Sequence, residues 1–242
     1  MILQICYPLI PGHQRGTLTV LTVSCFAAAS LLHVGREHGP RAAAILLVIA
    51  GGAGLTVEII GVHTGFPFGA YSYTGRLGPQ LASVPLIIPL AWTMMSWPAL
   101  VATRHLVTSP VGTAAVGGVA LASWDLFLDP QMVAAGNWVW HTTGPAPQGI
   151  PLTNDLGWLA TAVLVMAVLD RAIPRQDSPR DGLPVALYLW TWGGSVIGNV
   201  FFFGRPLVAV IGGVAMGLIV LPLARTLGSP PPSPRPAAII TG

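Results

Sequence analysis

The chain has 242 residues, 53% of them hydrophobic and only 8% charged, with a net charge of +3. That composition excludes a soluble domain of this length and defines a polytopic membrane protein. The charge comes from eleven arginines against eight acids with no lysine, and the arginines lie scattered between apolar stretches, which argues against a nucleic-acid partner.

Residues 1–12 are apolar but lack a basic leader region and contain Pro8 and Pro11, so they read as an interfacial segment rather than a cleaved signal. Cys6 and Cys25 sit in apolar surroundings without CxxC spacing, and neither a disulfide nor a thiolate metal site is expected. Apolar runs follow at about 17–34, 42–60, 84–106, 111–128, 155–173, 184–203 and 206–224, each long enough to span roughly 30 Å of hydrocarbon. The expected fold is an all-α membrane bundle of about seven helices, one domain over residues 1–227. The segment 228–242, with its Ser-Pro-Pro-Pro-Ser-Pro-Arg-Pro run, is expected to be a disordered tail.

Orientation follows from the arginines. Arg36, Arg41, Arg104, Arg171, Arg175, Arg180, Arg225 and Arg235 flank one side, against Arg15, Arg76 and Arg205 on the other. The positive-inside rule then puts the C-terminus in the cytoplasm and the N-terminus outside, in a bacterial or archaeal cell membrane. The segments 61–83 and 129–153 fall outside. They are long, rich in Gly and aromatics and nearly uncharged, and loops of that length in a compact domain are usually functional. They are expected to fold over a pocket as lids.

Alternation through the bilayer brings Glu58, Asp125, Asp129, Asn154, Asp155 and Asn199 to that same side. An ionisable group in hydrocarbon costs roughly 2.5–3.5 kcal/mol and usually persists because it lines a site or path. Asp125 and Asp129 are spaced i, i+4, on one helix face, and close carboxylates in low dielectric hold a proton between them. Asp129 also precedes Pro130 and so reads equally as the cap of a new helical turn. Glu58 follows Gly51, Gly52 and Gly54, small residues that let helices approach closely. His63 and His141 lie in the two long segments without HxxxH or HxxE spacing, so no metal is expected. The Asp125–Asp129 spacing is similar to the magnesium-diphosphate motif of membrane prenyltransferases, but the second Asp-rich motif and its basic residues are missing. Phe66, Phe68, Tyr71, Tyr73, Trp138, Trp140 and Trp158 gather at the same level, where an interfacial aromatic belt explains several of them; an aromatic lining would also suit a polyene and stabilise a carbocation.

The stretch Glu58-Ile-Ile-Gly-Val-His-Thr-Gly-Phe-Pro-Phe-Gly-Ala-Tyr-Ser-Tyr73, with Leu77-Gly-Pro79, Val84-Pro-Leu86 and Pro89-Leu-Ala-Trp92, resembles the opening signature of a carotenoid biosynthesis membrane-protein family that includes carotenoid 1,2-hydratases. A second block, Asp125-Leu-Phe-Leu-Asp-Pro130, Gly136-Asn-Trp-Val-Trp140, Gly149-Ile-Pro-Leu-Thr-Asn154 and Gly157-Trp158, resembles that family too. Asp155 departs from the pattern, which tends to have an apolar residue there. The resemblance implies addition of water to the terminal C1,C2 double bond of an acyclic carotenoid end, without cofactor. It implies Glu58 and Asp125 as acid and water-activating base in unassigned order, with Asp129 and Asn154 orienting water. His63, Phe68, Tyr71, Tyr73, Trp92, Trp138, Trp140 and His141 form the expected substrate-binding set. The partners implied are the acyclic carotenoid, the lipid bilayer and other carotenoid-pathway enzymes. A retinal protein is excluded by the missing lysine, which the Schiff base needs. A proton-coupled transporter and a non-catalytic carotenoid-binding protein remain as alternatives.

Overall fold

The computed structural model describes residues 1–10, 12–141, 145–176 and 180–228; the expected tail, apart from Gly228, lies outside the described residues. A short helix α1 (Ile2–Cys6) leads into a 3-10 turn, and a helix forms on each of the seven apolar runs. These are α2 (Arg15–His38), α3 (Pro40–Thr64), α4 (Ile87–Arg104), α5 (Pro110–Ala134), α6 (Leu152–Ala172), α7 (Gly182–Phe202) and α8 (Pro206–Gly228). All except α1 and α4 are long and apolar enough to cross a membrane, and the molecule is an all-α, multi-pass membrane protein. Two of these helices contain a wide π turn, Leu47–Gly51 in α3 and Gly198–Phe202 in α7.

Local sequence sets the helix ends. Pro40, Pro110 and Pro206 open their helices, where a missing N–H costs nothing and the fixed φ is already helical. Ser109 caps α5, its hydroxyl accepting the Gly112 N–H at 3.1 Å. Gly65 closes α3 in the left-handed region at φ 75°, which turns the chain back over the helix end.

The bundle is built around α4, in which every residue but Pro89, Leu90 and Arg104 is buried. This explains its weaker apolar character. Its Trp, Thr, Ser and Met side chains face other helices rather than lipid, and Thr93 and Thr103 bond carbonyls one turn back. Lipid-facing surface is legible on α8, where Leu207, Val210, Val214, Leu218 and Leu221 form an exposed apolar stripe of a kind that soluble proteins avoid. Helices α5 and α6 pack closely through Gly117 and Gly118, since a Cβ on Gly118 would come within 2.3 Å of Val163.

The two ends of the bundle differ. At one end, Arg104 donates to the Asp170 carboxylate at 2.9 Å, Arg175 lies 3.4 Å from the same carboxylate, and Arg175 also donates to the Val107 carbonyl and the Thr113 hydroxyl. These bonds tie the α4–α5 turn to the end of α6. At the other end the two long connections meet as a small antiparallel ribbon of β1 (Tyr71–Tyr73) and β4 (Trp138–Trp140). A second pair, β2 (Gln80–Leu81) with β3 (Val84–Pro85), shapes the approach to α4, so the expected start of that helix at residue 84 moves to Ile87.

Candidate active site

The β1–β4 ribbon places its side chains by strand alternation. Tyr71 pairs with Trp140 and Tyr73 with Trp138, while Ser72 opposite Val139 points the other way. One face of the ribbon therefore carries four aromatic rings, and all four line a cavity of about 30 Å³ at the end of the bundle. Phe68, Trp92 and Trp158 line it as well, with Trp92 stacked on Trp158 at 4.2 Å and 7°. The polar side chains of the wall include Glu58, Asp129 and Asn154.

Glu58 lies in the last turns of α3 and is 4% exposed. Its Oε2 accepts two hydrogen bonds, from the Tyr71 hydroxyl at 2.5 Å and the Tyr73 hydroxyl at 2.8 Å. Burial, and next the Glu58 carboxyl beside them, push both phenols well above their ordinary range, so each tyrosine is an O–H donor at any working pH. The fit requires glycine. A Cβ on Gly61 would stand 2.8 Å from the Tyr71 oxygen, and one on Gly54 would lie 2.4 Å from the Trp92 ring.

Opposite Glu58, Asp125 and Asp129 project from successive turns of α5, 1% and 4% exposed. Asn154, in the first turn of α6, bridges them. Its Nδ2 donates to Asp125 Oδ2 at 3.1 Å and to Asp129 Oδ2. The capping role expected for Asp129 is corrected here, because α5 continues through Pro130 to Ala134 and Asp129 sits inside the helix with its carboxylate on Asn154. Asp125 stands behind Asn154 rather than on the cavity wall, and its Oδ1 has no partner.

Other expectations also need correction. His63 and His141 do not reach the cavity. His63 is exposed and its Nδ1 bonds the Ile59 carbonyl one turn back, while exposed His141 pairs with Ser72 at 2.8 Å on the outer face of the ribbon. Asn199 is buried in the π turn of α7, donating to the Ser195 carbonyl, and takes no part in the cavity. Asp155 is half-buried in the first turn of α6 and also lies off the wall; there a carboxylate complements the helix dipole. The six-membered polar set thus reduces to Glu58, Asp125, Asp129 and Asn154. Ile88, Ala91 and Leu128 complete the wall; nothing in their sequence context distinguishes them from ordinary helix-packing residues. Among the described residues, no group of three His, Cys, Asp or Glu side chains is disposed to hold a metal ion.

A buried cavity with carboxyl groups on two sides and an aromatic wall is suited to moving a proton at an apolar substrate. A family profile described as carotenoid biosynthesis protein matches residues 16–223. The chain belongs to that family. The carotenoid biosynthesis match spans every helix from α2 to α8 and both halves of the cavity. A bisanhydrobacterioruberin hydratase from Haloarcula japonica is 30% identical over 162 residues, covering 60% of this chain and 52% of the relative. The chain therefore spans about half the length of the curated relative it matches. No solved structure matches the chain.

Proposed function

We propose that this protein is a cofactor-independent carotenoid 1,2-hydratase, which adds water across the terminal C1,C2 double bond of an acyclic carotenoid end to give a tertiary alcohol. The observation that carries the reading is the placement of Glu58, Asp129 and Asn154 on the walls of one aromatic cavity, with Asp125 behind them on the same Asn154 amide. Family membership and the hydratase relative support it.

The chemistry needs one carboxylic acid and one carboxylate in different surroundings. The acid gives its proton to C2, the π electrons form the new C–H bond, and a tertiary cation is left at C1. A water oxygen then bonds C1 while its proton passes to the carboxylate, so one alkene and one water become one alcohol. Glu58, held by two phenols, and the Asp pair, held by an amide, supply two different carboxyl environments. The stacked indoles Trp92 and Trp158, with Trp138 and Trp140, offer ring faces to the cation, a stabilisation worth about 2 kcal/mol or more when desolvated. The cavity of about 30 Å³ has room for about two waters, so the carotenoid end enters as the β1–β4 ribbon gives way.

We place the cavity end outside the membrane and the C-terminus in the cytoplasm, on the strength of the arginine asymmetry. The transport alternative is less well supported. A second cavity of about 100 Å³, lined in part by His38, Trp97, Arg104 and His105, lies towards the opposite end, and the intervening α4 residues Thr93–Ser96 are all buried. Expression in a host that accumulates lycopene tests the proposal. Hydratase activity adds the mass of one water per modified end; unchanged lycopene with the protein present in the membrane refutes the reading for that class of substrate end.

A further inference from the structure

The cavity contains more hydrogen-bond donors than the protein satisfies. The ribbon face carries four, two phenol hydroxyls and two indole N–H groups. Both hydroxyls are used on Glu58, whereas the indole nitrogens of Trp138 and Trp140, like that of Trp92 on the facing wall, are buried without a hydrogen-bond partner. Unpartnered buried N–H groups are rare and each calls for an explanation. Trp92 and Trp138 are 0% and 5% exposed, so bulk water does not satisfy them. Their surroundings are specific. The Trp92 indole faces the Glu58 carboxyl and the Trp138 indole faces the Asp129 carboxyl, each without reaching hydrogen-bonding geometry. Donors and acceptors alike belong to side chains that line one cavity with room for about two waters. A phenylalanine at any of these positions would fill the same wall without a donor.

We infer that the Trp138 and Trp140 N–H groups hold the reacting water against Asp129, which makes these tryptophans water-positioning residues as well as ring surfaces for the substrate. A water seated there accepts the indole N–H with one lone pair, donates one O–H to the Asp129 carboxylate and keeps its second lone pair directed into the cavity. When the cation forms at C1, that lone pair makes the C–O bond and the donated proton passes to Asp129. Glu58, already saturated at Oε2 by two tyrosines, then falls to the proton-donating side. The inference rests on the hydratase reading and fixes the order of acid and base that the reading leaves open.

The test separates protonation of the alkene from capture of water. Membranes containing the full-length protein are supplied with lycopene in deuterium oxide, and both hydrated product and recovered lycopene are analysed by mass spectrometry. If Trp138→Phe loses the seat for water but keeps the acid, C2 is still deuterated. The cation then returns a proton to the conjugate base instead of capturing water, and recovered lycopene carries deuterium. The expected result is hydration reduced about tenfold, the scale of one lost hydrogen bond, with deuterium in recovered lycopene above the wild-type level. Hydration and deuteration falling together, with the protein at normal level in the membrane, would overturn the inference, as would unchanged hydration. If Trp138→Phe fails to accumulate, Trp140→Phe, whose ring is only partly buried, is read by the same criteria. A wild-type protein that neither hydrates nor deuterates lycopene would instead sink the hydratase reading on which the inference stands.

Discussion

Replacing Glu58 by glutamine isolates the carboxyl group from its packing. The amide has nearly the same volume, and its carbonyl oxygen has two lone pairs, enough to accept both the 2.5 Å bond from Tyr71 and the 2.8 Å bond from Tyr73. A protonated carboxyl and an amide offer the two phenols similar neutral acceptors, so Glu58→Gln should cost about 1 kcal/mol of stability or less. What is lost chemically is a proton donor or acceptor, a contribution of roughly 10²–10⁴ in rate, equivalent to about 3–5 kcal/mol of barrier. Activity should therefore fall at least a hundredfold while the protein still accumulates. The assay is hydrated carotenoid formed per unit of membrane-inserted protein, alongside the thermal midpoint in detergent. Hydration within a few-fold of wild type, at matched protein level, would refute a proton-transfer role for Glu58. A parallel collapse of yield and activity would show that the residue holds the helix end together instead.

Asp170→Asn should leave Arg104 and Arg175 without their shared carboxylate and destabilise the protein by about 3 kcal/mol. Hydration per folded molecule should be unaffected, because Arg104 lies about 18 Å of helical rise from Trp92; thermal unfolding and activity measured on one preparation check both halves. Gly54→Ala should cost about 1–3 kcal/mol, since the new Cβ would lie 2.4 Å from Trp92, and a fluorescence change from the Trp92–Trp158 stack should accompany the lower midpoint. The raised phenol pKa values of Tyr71 and Tyr73 carry a pH signature. An unfolded phenol ionises near pH 10 while the folded ones stay protonated, so their contribution to stability is complete below about pH 10 and declines as pH rises beyond it. The Tyr71→Phe, Tyr73→Phe double variant should show a shallower loss of thermal midpoint above pH 10 than wild type, and an identical slope would contradict the assignment.

The sequence foretold the helices and the level of the acids more clearly than it foretold their contacts. Apolar runs of some twenty residues admit few alternatives in a bilayer, and alternation alone brings Glu58, Asp125 and Asn154 to one end. The ribbon is different. Tyr71 and Trp140 are paired at a separation of 69 positions, and a three-residue strand has too little pattern to announce itself, so the two tyrosines on Glu58 were not legible locally. The Asp129-Pro130 step reads as a cap by local preference, yet the helix runs on through Pro130 to Ala134, with the proline giving up one N–H bond to the turn before it. His63 and His141 share the right level but not the right face, and depth along a helix says nothing about rotation around it. Asn199 shows the same limit, its side chain being turned back onto its own helix by a π turn.

The central claim is that water itself becomes the product's hydroxyl at a carotenoid end. Supplying membranes with lycopene in water enriched in a heavy oxygen isotope, and weighing the product, tests it directly. Hydration predicts a tertiary alcohol carrying the heavy isotope from solvent and formed equally well without dioxygen. A hydroxyl of ordinary mass, or one that requires dioxygen, would contradict it.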